Sequence, residues 1–197
     1  MPSPVGHTLG ALAAMIAIEP SIVVSRYKPI VILGTAFIVG TLADADFLVA
    51  HYTTVPYLRH HYFSHSIPFA LLFTIMCWII LKVAKFHDPN KGAALLGSAY
   101  GSHLFLDYFA HDGSKPYGIP LLWPFSDQHF IAPFDVFFSI HRGEFSDLLS
   151  LHNFLAILIE VAVLAPICVL MFLLANSRMK AAGISIVSDG SPPRKRG

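Results

Sequence analysis

The sequence predicts an all-α, multispan membrane helix bundle of about five transmembrane helices, with an interfacial cap segment on its outer side. Three observations carry this. Of the 197 residues, 55% are hydrophobic and 13% charged, against about 25% charged in a soluble domain, and the mean hydropathy is +0.62. Five apolar stretches, roughly 4–24, 29–47, 66–86, 92–110 and 151–175, each approach the ~20 residues that cross ~30 Å of hydrocarbon. The basic residues, finally, gather in alternate connections.

Taken in order, the first stretch is the least uniform, because Glu19-Pro20 interrupts it, and no Lys or Arg precedes it as a signal peptide requires. The second ends in Asp44-Ala45-Asp46. The third (SIPFALLFTIMCWIILKVAKF) and the fifth (LHNFLAILIEVAVLAPICVLMFLLA) are the strongest, Pro166 in the fifth predicting a kink rather than a stop. The fourth carries Ala93, Gly97 and Gly101 at four-residue spacing, a ridge of small residues for close helix packing. The one long connection, 111–150, is rich in Pro and aromatic residues (GIPLLWPF, FIAPFDVFF). This composition suits a cap at headgroup level. Residues 1–184 thus form one membrane-embedded domain, and 185–197 a disordered basic tail.

Arg26, Lys28, Lys82, Lys85, Lys91, Arg178, Lys180, Arg194, Lys195 and Arg196 all fall on one face of an alternating five-span chain. That face is expected to be cytoplasmic, with the N-terminus outside and the C-terminus inside. Arg59, Lys115 and Arg142 fall on the other. A formal charge of +1 excludes a general nucleic-acid footprint. Cys77 and Cys168, both inside apolar runs, predict no disulfide framework.

Ionisable groups at the edge of a span are costly and call for partners. His7, Asp44, Asp46, His60, His61, His65, His103 and Asp107 all fall on the outer face, although Lys and Arg alone set the orientation. His103 and Asp107 stand one turn apart on one helix side, about 120° from the small-residue ridge. Asp44 and Asp46 repel each other unless a cation intervenes. Three imidazoles crowd into residues 60–65. His111-Asp112 and His129 are weaker outer-side candidates. Mixed imidazole and carboxylate without thiolate suits Zn²⁺, then Mn²⁺ or Fe²⁺. The candidates exceed one tetrahedral shell, so one or two ions are expected, with the surplus orienting the ligands.

These motifs together resemble the YdjM-like family of bacterial inner-membrane, metal-dependent hydrolases over most of residues 1–142. Pro4-Val5-Gly6-His7 resembles its N-terminal His segment. Leu42-Ala43-Asp44-Ala45-Asp46 resembles its Leu-Pro-Asp-x-Asp segment, with Ala for Pro. His60 to Ser66 resembles His-Arg-Gly-x-Thr-His-Ser, placing His60 and His65 at the two His positions and His61 and Tyr62 at Arg and Gly. Ser102 to Asp107 resembles Ser-His-x-x-x-Asp, and Gly118 to Phe125 the downstream Gly-x-x-x-x-x-Pro-Phe stretch. The pattern is also similar, more loosely, to zinc-dependent phospholipases C, which favours phosphoesters.

The expectation is a membrane-bound hydrolase acting on an amphiphilic or phosphoester substrate at the outer leaflet of the bacterial inner membrane. His7, Asp44, Asp46, His60, His65, His103 and Asp107 are the expected metal ligands. His61 and Asp44 are the expected acid/base groups. The alternative is a divalent-metal binding or transport protein using the same ligands. A transporter should show internal repeats and a midplane site, and the sequence shows neither.

Overall fold

The computed structural model describes residues 1–24, 28–47, 61–113, 115–141, 147 and 149–183. The expected tail and His60 lie outside these residues. Among the described residues the chain forms five α-helices and no strand: α1 (Pro4–Ile18), α2 (Pro29–Gly40), α3 (Ile67–Val83), α4 (Pro89–Tyr108) and α5 (Leu151–Ala181). Their starts follow from local chemistry. The hydroxyls of Ser3, Ser66 and Ser150 and the carboxylate of Asp88 accept the orphan N–H groups of α1, α3, α5 and α4. Proline occupies the first turn of α1 to α4, where no N–H is needed.

Helix boundaries depart from the expected spans in ways the sequence explains. α1 stops before Glu19-Pro20, and the chain continues as a 3-10 helix, Pro20–Val24. α2 stops at Gly40 and tightens into a 3-10 turn, Leu42–Ala45. By length and composition α5, with 31 residues, is the described helix able to cross a membrane; α1, α2 and α3 are apolar but shorter. The bundle is all-helical as expected, while five full crossings are not established by helix length.

The helices alternate in direction. Ser3 meets Glu160 and the Leu9 carbonyl meets Cys168, so α1 and α5 run parallel. A Cβ on Gly40 would stand 2.8 Å from the His7 carbonyl oxygen and 2.8 Å from Ala11 Cβ, which fixes the close approach of the end of α2 to the start of α1. Gly10 packs on Leu106, and Gly97 of the small-residue ridge packs on Thr74. Gly101 instead faces open space. The starts of α1, α3 and α5 and the ends of α2 and α4 therefore share one end of the bundle. The core between them is built of small residues such as Ala11, Ala36 and Ala99 around Met15 and Tyr100. Large apolar side chains such as Ile30, Leu71, Ile80, Val169 and Leu173 point outward, the inverse of a water-soluble bundle.

The segment after α4 lies over this end. Ala110 bridges to Phe137 and Ile119 to Phe130, and the Leu121 carbonyl accepts the Ile67 N–H at the start of α3. The Asn153 side chain, near the top of α5, holds both the N–H and the carbonyl of His141. Phe125, Phe134 and Phe138 on this segment are exposed.

One buried acid escaped the sequence reading. Glu160, 0% exposed on α5, accepts from the Ser3 backbone N–H at 2.6 Å and from the Ser3 hydroxyl, which itself caps α1. A helix start away from water needs such a partner. Ser3→Ala should therefore lower stability by about 1.5–3 kcal/mol, the range for hydrogen bonds to a charged group. A fall in the thermal midpoint in detergent checks this, and an unchanged midpoint contradicts it.

Candidate metal centre

Four of the expected residues bring one ligand atom each to a single point. His103 and Asp107 come from the last turns of α4, Asp44 from the 3-10 turn after α2, and His65 from the short 3-10 helix Phe63–His65 before α3. His103 Nε2 lies 3.2 Å from His65 Nε2, 3.1 Å from Asp107 Oδ2 and 3.6 Å from Asp44 Oδ1. His65 Nε2 lies 3.3 Å from Asp107 Oδ2 and 3.6 Å from Asp44 Oδ1. A tetrahedral ion with bonds of about 2.0–2.1 Å needs ligand edges of roughly 3.3–3.4 Å. These distances bracket that value. His65 and His103 are 0% exposed and Asp107 5%; the Asp44 side chain, at 16%, marks the open side.

The far sides of both rings are engaged. His103 Nδ1 donates to the Gly40 carbonyl at 2.7 Å. His65 Nδ1 donates to Ser64 Oγ at 2.9 Å, and Ser64 in turn donates to Asp46. Tyr100 holds this segment by donating to the Ser64 carbonyl at 2.6 Å. With both Nδ1 atoms donating, each Nε2 turns toward the point that two carboxylate oxygens also face. With the imidazoles neutral, these four atoms are all acceptors and repel one another unless a cation, a proton on Nε2 or a metal ion, lies among them. A proton joins two atoms in a line; a metal ion joins four. The donor set and its spacing thus fit a divalent ion.

The remaining expected residues are placed differently. Asp46 stands 3.4 Å from His65 Nδ1, on the opposite side of the ring from Asp44. What separates the two carboxylates is the His65 imidazole, and Asp46 orients that ring instead of joining Asp44 at one point. His7 is 0% exposed, with Nε2 3.6 Å from Asp107 Oδ1, and its ring stacks on His103 at 3.7 Å. His61 adopts φ 65°, a left-handed conformation that costs a non-glycine residue about 1–2 kcal/mol. Its N–H donates to Asp46 at 3.1 Å and its ring lies 4.7 Å from His65. The weaker candidates find partners elsewhere: His111 pairs with Asp135, Asp112 accepts from Gly118, and His129 packs on Tyr62.

Beside the centre, on the other side of α4, an apolar groove of about 520 Å³ runs between α3 and α4. Ile67, Ala70, Thr74, Gly101, Leu104 and Phe105 line it. Gly101, which packs against nothing, keeps it open. The ridge expected only to pack helices therefore packs at Gly97 and leaves space at Gly101.

The family model for the YdjM inner membrane protein matches residues 1–184, so the chain belongs to that family, as its motifs indicated, and with it to the inner membrane. No curated protein and no solved structure matches the chain.

Proposed function

We propose, on the premise of that membership, that this protein is a membrane-bound, metal-dependent hydrolase of amphiphilic phosphoesters. The observation that carries the reading is the convergence of four buried ligand atoms, His65 Nε2, His103 Nε2, Asp44 Oδ1 and Asp107 Oδ2, at tetrahedral spacing, with the Nδ1 atom of each ring engaged elsewhere. Zn²⁺ suits this set best, with Mn²⁺ or Fe²⁺ next. A divalent ion there would polarise a phosphoryl oxygen and bring the pKa of water toward neutrality.

The chain's own residues do the rest. Gly40 and the Ser64–Asp46 pair fix the two imidazoles with Nε2 inward. Asp44 forms the open edge, and His61 stands beside it: their ligand atoms and that of His65 lie within 4.8 Å of one another. His61 is thereby the group placed to accept the proton of the attacking water and return it to the leaving oxygen. The apolar groove and the exposed aromatic cap favour a substrate held in the outer leaflet, with the N-terminus outside and the C-terminus cytoplasmic.

The test is purified protein in detergent assayed on lipid phosphoesters. Hydrolysis should vanish on chelation, return with Zn²⁺ or Mn²⁺, and be absent in His103→Ala. Activity that survives both metal removal and His103→Ala defeats the mechanism. Metal binding without hydrolysis of any ester favours a binding or transport role.

A further inference from the structure

We propose that the centre is dinuclear: Asp107 bridges the ion described above to a second divalent ion held by His7. The inference rests on the metal-centre part of the functional reading. It goes beyond that reading in assigning His7 and the outer oxygen of Asp107 to a separate ion.

His7 carries the argument. Its side chain is fully buried, yet neither Nδ1 nor Nε2 has a hydrogen-bond partner among the described residues. A buried imidazole with both nitrogens unserved is costly and rare. Its charged form would be worse placed, since its face lies 3.7 Å from the His103 ring and nearly parallel to it. The group it does face is Asp107 Oδ1, at 3.6 Å, and that oxygen also lacks a hydrogen-bond partner. Asp107 is thus divided: Oδ2 turns to His65 and His103, and Oδ1 turns to His7.

The spacing supports two ions. Paired metals in hydrolytic sites stand about 3.5–4 Å apart, clamping the attacking and leaving oxygens. Two parallel imidazoles that each present Nε2 to its own ion hold those ions about one ring separation apart, and here that separation is 3.7 Å. His7, His103 and Asp107 bring their ligand atoms within 4.8 Å of one another. The second ion has fewer protein donors among the described residues than the first. It should therefore bind more weakly and keep coordination positions for water or phosphoryl oxygens.

The experiment is a Mn²⁺ titration of the metal-stripped, full-length protein in detergent, counting bound ions by dialysis and elemental analysis and reading electron paramagnetic resonance at each step. The expected result is two equivalents, the second weaker, with spin coupling between neighbouring ions when both are bound. His7→Ala and His7→Gln should each hold one equivalent and lose the coupling. A single equivalent in the unmutated protein, two uncoupled ones, or two that persist in His7→Ala would overturn the proposal. The coupling in the unmutated protein decides the matter if the variants fail to fold. One equivalent accompanied by metal-dependent hydrolysis removes the second ion and leaves the hydrolase; no bound ion removes both.

Discussion

Asp107→Ala is expected to abolish hydrolysis and to weaken metal binding by roughly 2–5 kcal/mol, about 30- to 4,000-fold in Kd. Asp107 is the carboxylate that stands at ion-pair distance from three of the centre's imidazoles. Asp107 Oδ2 stands within 3.3 Å of both His65 and His103, and Oδ1 faces His7. Its removal leaves Asp44, among the described residues, as the sole carboxylate partner of the His65 and His103 Nε2 atoms. Asp107→Asn should lie between, since the amide keeps an oxygen acceptor but not the charge. Calorimetric titration with Zn²⁺ gives the affinities. Thermal melting adds a control: the unmutated protein should gain stability with metal, and Asp107→Ala should gain little. Equal metal stabilisation in both would remove Asp107 from the ligand set.

His65→Ala is the second large effect, and it differs in kind. The His65 ring separates Asp44 from Asp46. Alanine leaves two buried carboxylates across a cavity, so about 3–5 kcal/mol of stability should be lost even without metal. The pH profile carries the signature. Burial pushes the His65 pKa down, but its bonds to Asp107, Asp44 and Asp46 outweigh this and hold it well above the ordinary 6.5. The resulting stabilisation of the metal-free protein is complete below that ordinary value and is lost as pH rises through the raised one. The thermal midpoint of chelated protein should accordingly fall on the alkaline side, and His65→Ala should flatten the slope. Metal displaces the same proton, so calorimetry in buffers of different ionisation enthalpy should register proton release on binding at neutral pH. A midpoint indifferent to alkali would contradict the charged state assigned to His65.

Much of this is legible in the sequence. The apolar runs located all five helices, because length and hydropathy are local properties, and Glu19-Pro20 announced the end of α1. The convergence of His7, Asp44, His65, His103 and Asp107 followed from alternation: residues at the starts of odd helices and the ends of even ones share one end of a bundle. The division of labour was not legible. Whether Asp46 meets the ion or the back of the His65 ring depends on the turn Leu42–Ala45 and on Ser64, which no spacing rule encodes. Glu160 could have been found. A carboxylate nine residues into the longest apolar helix is a costly group that calls for a partner. The partner, Ser3, lies far away in sequence, and only the parallel packing of α1 and α5 joins them.

The length of α5 fixes an altitude. At about 1.5 Å per residue, Arg178 stands about 27 Å along the helix from Glu160, close to the ~30 Å of a hydrocarbon slab. In the orientation proposed above, with the basic end of α5 at the inner boundary, Glu160 and the first turn of α1 would come level with the opposite one. The stretch from Leu151 to Glu160, about 14 Å, would then rise as a post among the headgroups, with Asn153 pinning the segment after α4 to it through His141. For the hydrolase proposed above, a dissolved substrate would have to descend past that post, whereas a lipid would already carry its scissile linkage at that height and need only drift sideways.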